Sequence, residues 1–163
     1  MDTKVQIKLT AYKSLFYLIV EAGVFALYVP LTLLRKGTRI EMGVFSFLAI
    51  PFWLIGTLII LRCFWDFTFK GRGTPAPTDP PKELVVTGFY RYVRNPIYVG
   101  SMLIFLGHFL WFGYLPQLTY TVLAFIGVHA FIIGYEEPNL RKKFGTVYEE
   151  YCKRVPRWIP RIK

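Results

Sequence analysis

Apolar residues run along this chain in blocks long enough to cross a bilayer, and the charged residues gather between them. The clearest block is 97–135, which contains no Lys, Arg, Asp or Glu. At 1.5 Å rise per residue, two helices of about 19 residues would each cover most of a hydrocarbon core about 30 Å thick. The stretch 96–135 is therefore expected to fold back as a transmembrane hairpin that returns its charged ends to one face. Asn95-Pro96 predicts the start of the first arm, because Asn suits the N-cap and Pro the first helical position. Gly113-Tyr114-Leu115-Pro116 predicts the turn, and the second arm ends near Tyr135. Two earlier blocks predict spans over residues 14–34, with Glu21 inside and Pro30 near the end, and over 43–65, with Pro51 and Gly56 as kink points.

Between residues 66 and 95 the composition changes to Gly71, Gly73, Pro75, Pro77, Asp79, Pro80 and Pro81, a density at which no helix continues. An extended surface loop is expected there, and loops longer than about 12 to 15 residues are usually functional or disordered. After Pro138, the apolar Leu140, Phe144, Val147, Tyr148 and Tyr151 recur at helical spacing, with Arg141, Lys142, Lys143, Glu149, Glu150 and Lys153 on the other face. That pattern predicts one interfacial amphipathic helix over 138–153, followed by a basic tail with Trp158 at head-group depth. The expected architecture is an all-α integral membrane bundle of about four transmembrane helices in one domain, 1–163. Its parts are two N-terminal spans (1–65), the loop (66–95), the hairpin (96–135) and the interfacial helix with its tail (138–163).

Composition agrees with this reading: of 163 residues 54% are hydrophobic and 18% charged, which excludes an ordinary soluble domain. The net charge of +10 would suggest nucleic acid in a soluble protein. Here the basic residues flank the spans, where anionic membrane lipids explain them and no nucleic-acid partner is needed. The basic 66–95 loop and tail place both on the cytoplasmic face by the positive-inside rule. Four spans then leave Arg35, Lys36 and Arg39 outside, against the same rule. Cys63 and Cys152 have no metal or redox spacing and are expected to be free thiols.

Two polar clusters bracket the hairpin. Tyr90, Arg91, Arg94 and Tyr98 gather at its start, with Gly88 and Gly100 allowing close backbone approach. Their arginines and the open amides behind Pro96 suit an anion such as a carboxylate, while interfacial anchoring is the alternative. Glu136 and Glu137 sit where a helix C-terminus already carries negative charge, so something positive should offset them: Arg141, Lys142 or Lys143, a bound cation, or hydrogen bonds from a ribose diol. Glu21 costs roughly 2.5 to 3.5 kcal/mol within a span and is a functional candidate for that reason. His108 and His129 lack a third ligand and read as hydrogen-bonded core histidines. No G-x-G-x-x-G, P-loop, zinc or nucleophile motif is present.

Taken in order, Leu84-Val85-Val86-Thr87-Gly88-Phe89-Tyr90-Arg91-Tyr92-Val93-Arg94-Asn95-Pro96-Ile97-Tyr98-Val99-Gly100, the hairpin, Glu136-Glu137-Pro138-Asn139-Leu140 and Phe144-Gly145-x-x-Tyr148-x-x-Tyr151 resemble the isoprenylcysteine carboxyl methyltransferase family. Phospholipid N-methyltransferases share the C-terminal pattern. The resemblance covers about residues 84–160. It implies a membrane enzyme that takes S-adenosyl-L-methionine from the cytoplasm and a lipophilic small-molecule or lipid acceptor from the bilayer. It also implies cofactor contacts from Val86, Gly88, Tyr90, Arg94, Asn95, Pro96, Tyr98, Gly100, Glu136 and Glu137, with Arg94, Tyr98 and Glu137 in catalysis.

One departure stands out: Asn95 occupies the position usually held by histidine. Asparagine can exchange hydrogen bonds but cannot titrate near neutral pH, so a mechanism that uses that histidine as a base is excluded. A carboxylate acceptor needs no base, whereas a phospholipid amine must first lose a proton, and the sequence leaves both open. Other readings are a membrane reductase using a phosphorylated nicotinamide dinucleotide, since sterol reductases have a related C-terminal architecture, and a scaffold without cofactor.

Overall fold

The computed structural model describes residues 3–71 and 82–160, and of residues 3–8, 21, 22 and 33 the backbone alone. Among the described residues there are six α-helices: α1 (Thr3–Val20), α2 (Ala49–Asp66), α3 (Pro96–Phe112), α4 (Leu115–Phe131), α5 (Glu137–Phe144) and α6 (Thr146–Arg154). α1 runs on as a wider π-helical stretch, Glu21–Leu33, and α2 is entered through a tight turn, Gly43–Leu48, and leaves through Phe67–Gly71. The stretches Leu9–Thr32, Gly43–Gly71 and Leu115–Phe144 are long and apolar enough to cross a membrane, and Pro96–Phe112 is apolar but shorter. Together they make an all-α membrane bundle. Phe16, Ile19, Phe25, Leu54, Leu58, Leu123 and Ile126 lie exposed on its outside, the arrangement expected where hydrocarbon is the solvent.

The bundle closes on α2 and α3. A methyl group placed on Gly56 would lie 2.6 Å from the Gly100 carbonyl oxygen, and one on Gly100 would lie 2.8 Å from the Gly56 carbonyl oxygen. Backbones this close need small residues, the usual device where lipid provides no hydrophobic drive between helices. Toward one end, Ile59, Cys63, Phe64, Val85, Tyr90 and Ile97 form a buried cluster. α1 packs there through Thr68, whose hydroxyl donates to Ser14 Oγ at 3.0 Å. The π-helical stretch that continues α1 instead meets α4, where Gln117 Nε2 donates to the Pro30 carbonyl at 2.9 Å and the Tyr120 hydroxyl to the Phe25 carbonyl at 3.3 Å.

At the far end of the bundle the first loop pairs with the hairpin turn: Ile40 N donates to Gly113 O at 2.8 Å and Leu115 N to Thr38 O at 3.0 Å. Arg39 Nε donates to the Phe112 carbonyl at 3.1 Å, and the Arg35 guanidinium lies 4.5 Å above the Phe112 ring. Both cations thus sit at the negative end of α3. This local use accounts for basic residues in a loop that the positive-inside rule expects to lack them.

Two expectations change, and one lies outside the described residues. The second helix continues to Gly71 rather than ending at residue 65, so part of the predicted loop is helical, and the segment 72–81 lies outside the described residues. The side chain of Glu21 also lies outside them. The single helix expected over 138–153 is two, broken at Gly145 (φ +54°), a backbone conformation that other residues adopt only under strain. The break turns Val147 outward while Tyr148 and Tyr151 stay buried.

Candidate functional site

Four segments meet at the end of the bundle opposite the hairpin turn: the start of α3, the end of α4 with α5, the inner face of α6, and the tail. Pro96 opens α3 and its predecessor's carbonyl accepts the Val99 amide at 3.1 Å. The Asn95 side chain makes no capping bond to α3. Its Nδ2 instead donates to the Arg157 carbonyl at 3.2 Å, while the Arg94 amide donates to Pro156 O at 2.9 Å. The tail therefore leaves α6 as an extended strap laid against the start of α3. Trp158 fastens its far side, donating from the indole to His129 Nδ1 at 3.1 Å, with Phe125 beside it. The expected head-group anchor is thus also a clasp to α4.

Beneath the strap, Glu137 is buried and three arginines converge on it. Arg157 binds it with both arms, Nε to Oε1 at 2.8 Å and Nη2 to Oε2 at 3.0 Å. Arg94 Nη1 lies 3.0 Å from Oε1, and Arg141 Nη2 lies 3.6 Å from Oε2. Arg94 also donates to Cys152 Sγ at 2.7 Å, and its Nε is buried without a partner. The hydrogen bond to Glu137 holds the Arg157 guanidinium above its usual basicity. Glu136, the adjacent carboxylate, has different surroundings: Tyr98 donates its hydroxyl to Oε2 at 3.0 Å, and no cation pairs with it among the described residues.

Tyr90 carries this region to α2. It is buried, its carbonyl accepts the Tyr151 hydroxyl at 2.7 Å, and its ring packs edge-on against Phe67 at 5.4 Å. Burial pushes both phenols well above their usual range, so each stays a protonated donor. Gly88 adopts φ +60° one turn earlier, directly against Asp66, the last residue of α2.

The structure therefore brings together Arg94, Asn95, Pro96, Tyr98, Glu136 and Glu137, with Tyr90 beneath them. It places Gly100 at the α2 crossing, Gly88 against Asp66, and Val86 exposed at the edge. Arg91 is exposed. Residues that the sequence reading passed over are Arg157, Cys152 and Asp66. Asp66 had a legible signal, since Arg62 and Lys70 flank it at four residues on either side, the spacing of helical ion pairs. Arg157 was one of several tail cations and carried no signal of its own. Cys63 and Cys152 are both free thiols. His108 bonds the Ile104 carbonyl through Nδ1 at 2.7 Å and packs against Trp53, as a core histidine.

A family model for phospholipid methyltransferase matches residues 44–147, spanning α2 to the start of α6 and including both clusters. The chain belongs to the phospholipid methyltransferase family. Similar proteins include a methanethiol S-methyltransferase of Crocosphaera subtropica, 36% identical over 86 residues, covering 50% of this chain and 31% of that protein. A protein-S-isoprenylcysteine O-methyltransferase of Schizosaccharomyces pombe is 38% identical over 79 residues, covering 48% and 34%. A Delta(14)-sterol reductase of Gallus gallus is 30% identical over 128 residues, covering 67% of this chain and 20% of that protein. The chain thus spans between a fifth and about a third of the length of these relatives. Family membership and a likeness to a sterol reductase both agree with the expectations from the sequence.

Proposed function

We propose that this member of the phospholipid methyltransferase family is a membrane methyltransferase that takes S-adenosyl-L-methionine at the Arg94–Glu136 cluster, on the cytoplasmic face. Its acceptor is a lipophilic carboxylate or another lipid-like small molecule reaching the cluster from the bilayer. The observation that carries this reading is the asymmetry of the two glutamates. Glu137 is neutralised by three arginines, whereas Glu136 is mostly buried and, among the described residues, has a tyrosine hydrogen bond and no cation. A buried carboxylate is costly unless a cation accompanies it.

The donor set fits the cofactor. Arg94 keeps a buried, unpartnered Nε beside the strap, suited to a carboxylate, and Glu136 offers an unpaired carboxylate oxygen to a cation or a ribose diol. S-adenosyl-L-methionine, when bound, supplies an electrophilic methyl group on a sulfonium centre. The chain's own residues then orient and exclude water. Tyr98 fixes the Glu136 carboxylate, Glu137 aligns Arg94 and Arg157 from behind, and the strap from Val155 to Trp158 covers the cluster. With an amine acceptor, Glu136 is the carboxylate at hand to receive the proton. Asn95 holds the strap.

The test is calorimetry of the purified protein in detergent or nanodiscs with S-adenosyl-L-methionine and with its neutral product S-adenosylhomocysteine. The wild type is expected to bind both and to favour the sulfonium, and Glu136→Gln to abolish that preference. Failure to bind either ligand would overturn the reading. Saturable binding of a phosphorylated nicotinamide dinucleotide instead would support the reductase reading, which the likeness to the sterol reductase favours.

A further inference from the structure

Asp66 is a buried charged side chain near the cluster that the proposed chemistry leaves unused. It ends α2, inside a stretch long and apolar enough to span a membrane, and its side chain is 0% exposed. Lys70 Nζ lies 2.9 Å from Oδ1 and Arg62 Nε 3.4 Å from Oδ2, yet neither oxygen is hydrogen-bonded. Both cations are about half exposed, so they compensate the charge without enclosing it.

What encloses Asp66 is the turn that leads into the site. A methyl group on Gly88 would run into Asp66 Oδ2, so the buried carboxylate would have to shift to admit it. Lys70 also donates to the Thr87 hydroxyl at 2.9 Å, so the cation that pairs with Asp66 holds the residue before Gly88. Val85 and Tyr90, on either side of the turn, are buried against Ile59, Cys63 and Phe64 of α2. The turn is thus seated on the end of α2 by two apolar anchors, one cation bridge and one carboxylate.

We infer that Asp66 is a positioning residue for the proposed donor site, and that the Asp66 carboxylate, together with the positive φ of the turn and without a ligand, requires glycine at position 88. Asp66 acts through Gly88: it fixes the height at which the turn crosses α2. Tyr90 follows two residues later, and its carbonyl receives Tyr151 from α6, the helix whose Cys152 faces Arg94. A shift at Gly88 is therefore passed to Tyr90 and, through α6, to Arg94. The link to donor affinity rests on the methyltransferase reading, whereas the seating of the turn does not.

The experiment is a double-mutant cycle on the full chain with Asp66→Ala, Gly88→Ala and both changes together, and with Asp66→Asn as a variant that keeps the side chain's size. Two readouts are taken. Amide hydrogen exchange over residues 84–92 needs no ligand and is expected to rise about tenfold in Asp66→Ala and Asp66→Asn, with α3 and α4 unchanged. S-adenosylhomocysteine affinity is expected to fall about tenfold or more in Gly88→Ala alone, but by clearly less when the same change is made on Asp66→Ala, because the steric partner has gone and only the cost of the positive φ remains. Suppression of that kind is not produced by a merely structural loss at either site. Additive effects, or unchanged exchange in both Asp66 variants, would overturn the inference. If the wild type binds no S-adenosylhomocysteine, the methyltransferase reading fails, and the exchange data still decide whether Asp66 seats the turn.

Discussion

Replacing Glu137 by glutamine leaves three guanidinium groups facing a neutral amide. Breaking a buried ion pair from one side typically costs 3–5 kcal/mol, because the charge left behind has lost both water and partner. The lower end applies here. The Arg157 and Arg141 side chains are 28% and 49% exposed and can turn to solvent, while Arg94 at 11% cannot. A loss of about 3 kcal/mol corresponds to about 6–12 °C in the unfolding midpoint of a chain this size. Glu136→Gln keeps an amide oxygen for the Tyr98 hydroxyl and should cost no more than about 1 kcal/mol. Thermal unfolding of both variants, followed by circular dichroism in one detergent at one scan rate, is expected to separate them clearly. Donor affinity should separate them too, since Glu136→Gln is expected to fold normally and bind poorly. Equal midpoints, or a larger loss in Glu136→Gln, would refute the division of labour between the two glutamates.

Two further outcomes follow from the same contacts. Gly56→Ala is expected to destabilise by about 1–3 kcal/mol, seen as a lowered unfolding midpoint, because the new methyl meets the Gly100 carbonyl at 2.6 Å and backbone cannot give as a side chain can. Tyr151→Phe removes the hydrogen bond to the Tyr90 carbonyl and should cost about 1 kcal/mol. Hydrogen exchange is expected to rise around residues 88–92 in that variant and not in the hairpin.

Much of the bundle could be read from the chain because membrane spans announce themselves locally. The charge-free run 97–135, Asn95-Pro96 and the Gly113–Pro116 turn each fix an element without reference to the rest of the molecule. The paired clusters were legible for the same reason, each being contiguous in sequence. What escaped were relations made across distance. Arg157 reaches Glu137 over twenty residues through a strap with no periodicity. Gly100 resembles a ligand-approach glycine and Asp66 resembles the start of a loop until α2 is laid against α3 and the 85–90 turn. Asn95 shows the limit most plainly: the sequence places it at the N-cap, and the structure confirms the position, but its side chain makes no capping bond and its Nδ2 donates to the Arg157 carbonyl, a partner far along the chain.

The two ends of the bundle use arginine for different ends, and the contrast bears on the ligand. At the hairpin turn, Arg35 and Arg39 are taken up by Phe112. At the site, three arginines share one carboxylate, so the knot around Glu137 remains positive overall while Glu136, one residue away, has no cation beside it among the described residues. A ligand matched to that surface presents an anionic group to the arginines and a cationic group to Glu136. An amino acid sulfonium has both, on one small molecule. A phosphorylated dinucleotide offers negative charge to both positions and would have to approach Glu136 with a phosphate or leave it unmatched, and like charges brought together in a water-poor site cost far more than in bulk solvent. The charge pattern of the knot therefore favours the methyl donor over the nicotinamide cofactor, and the preference of the wild type for S-adenosyl-L-methionine over its neutral product measures that pattern directly.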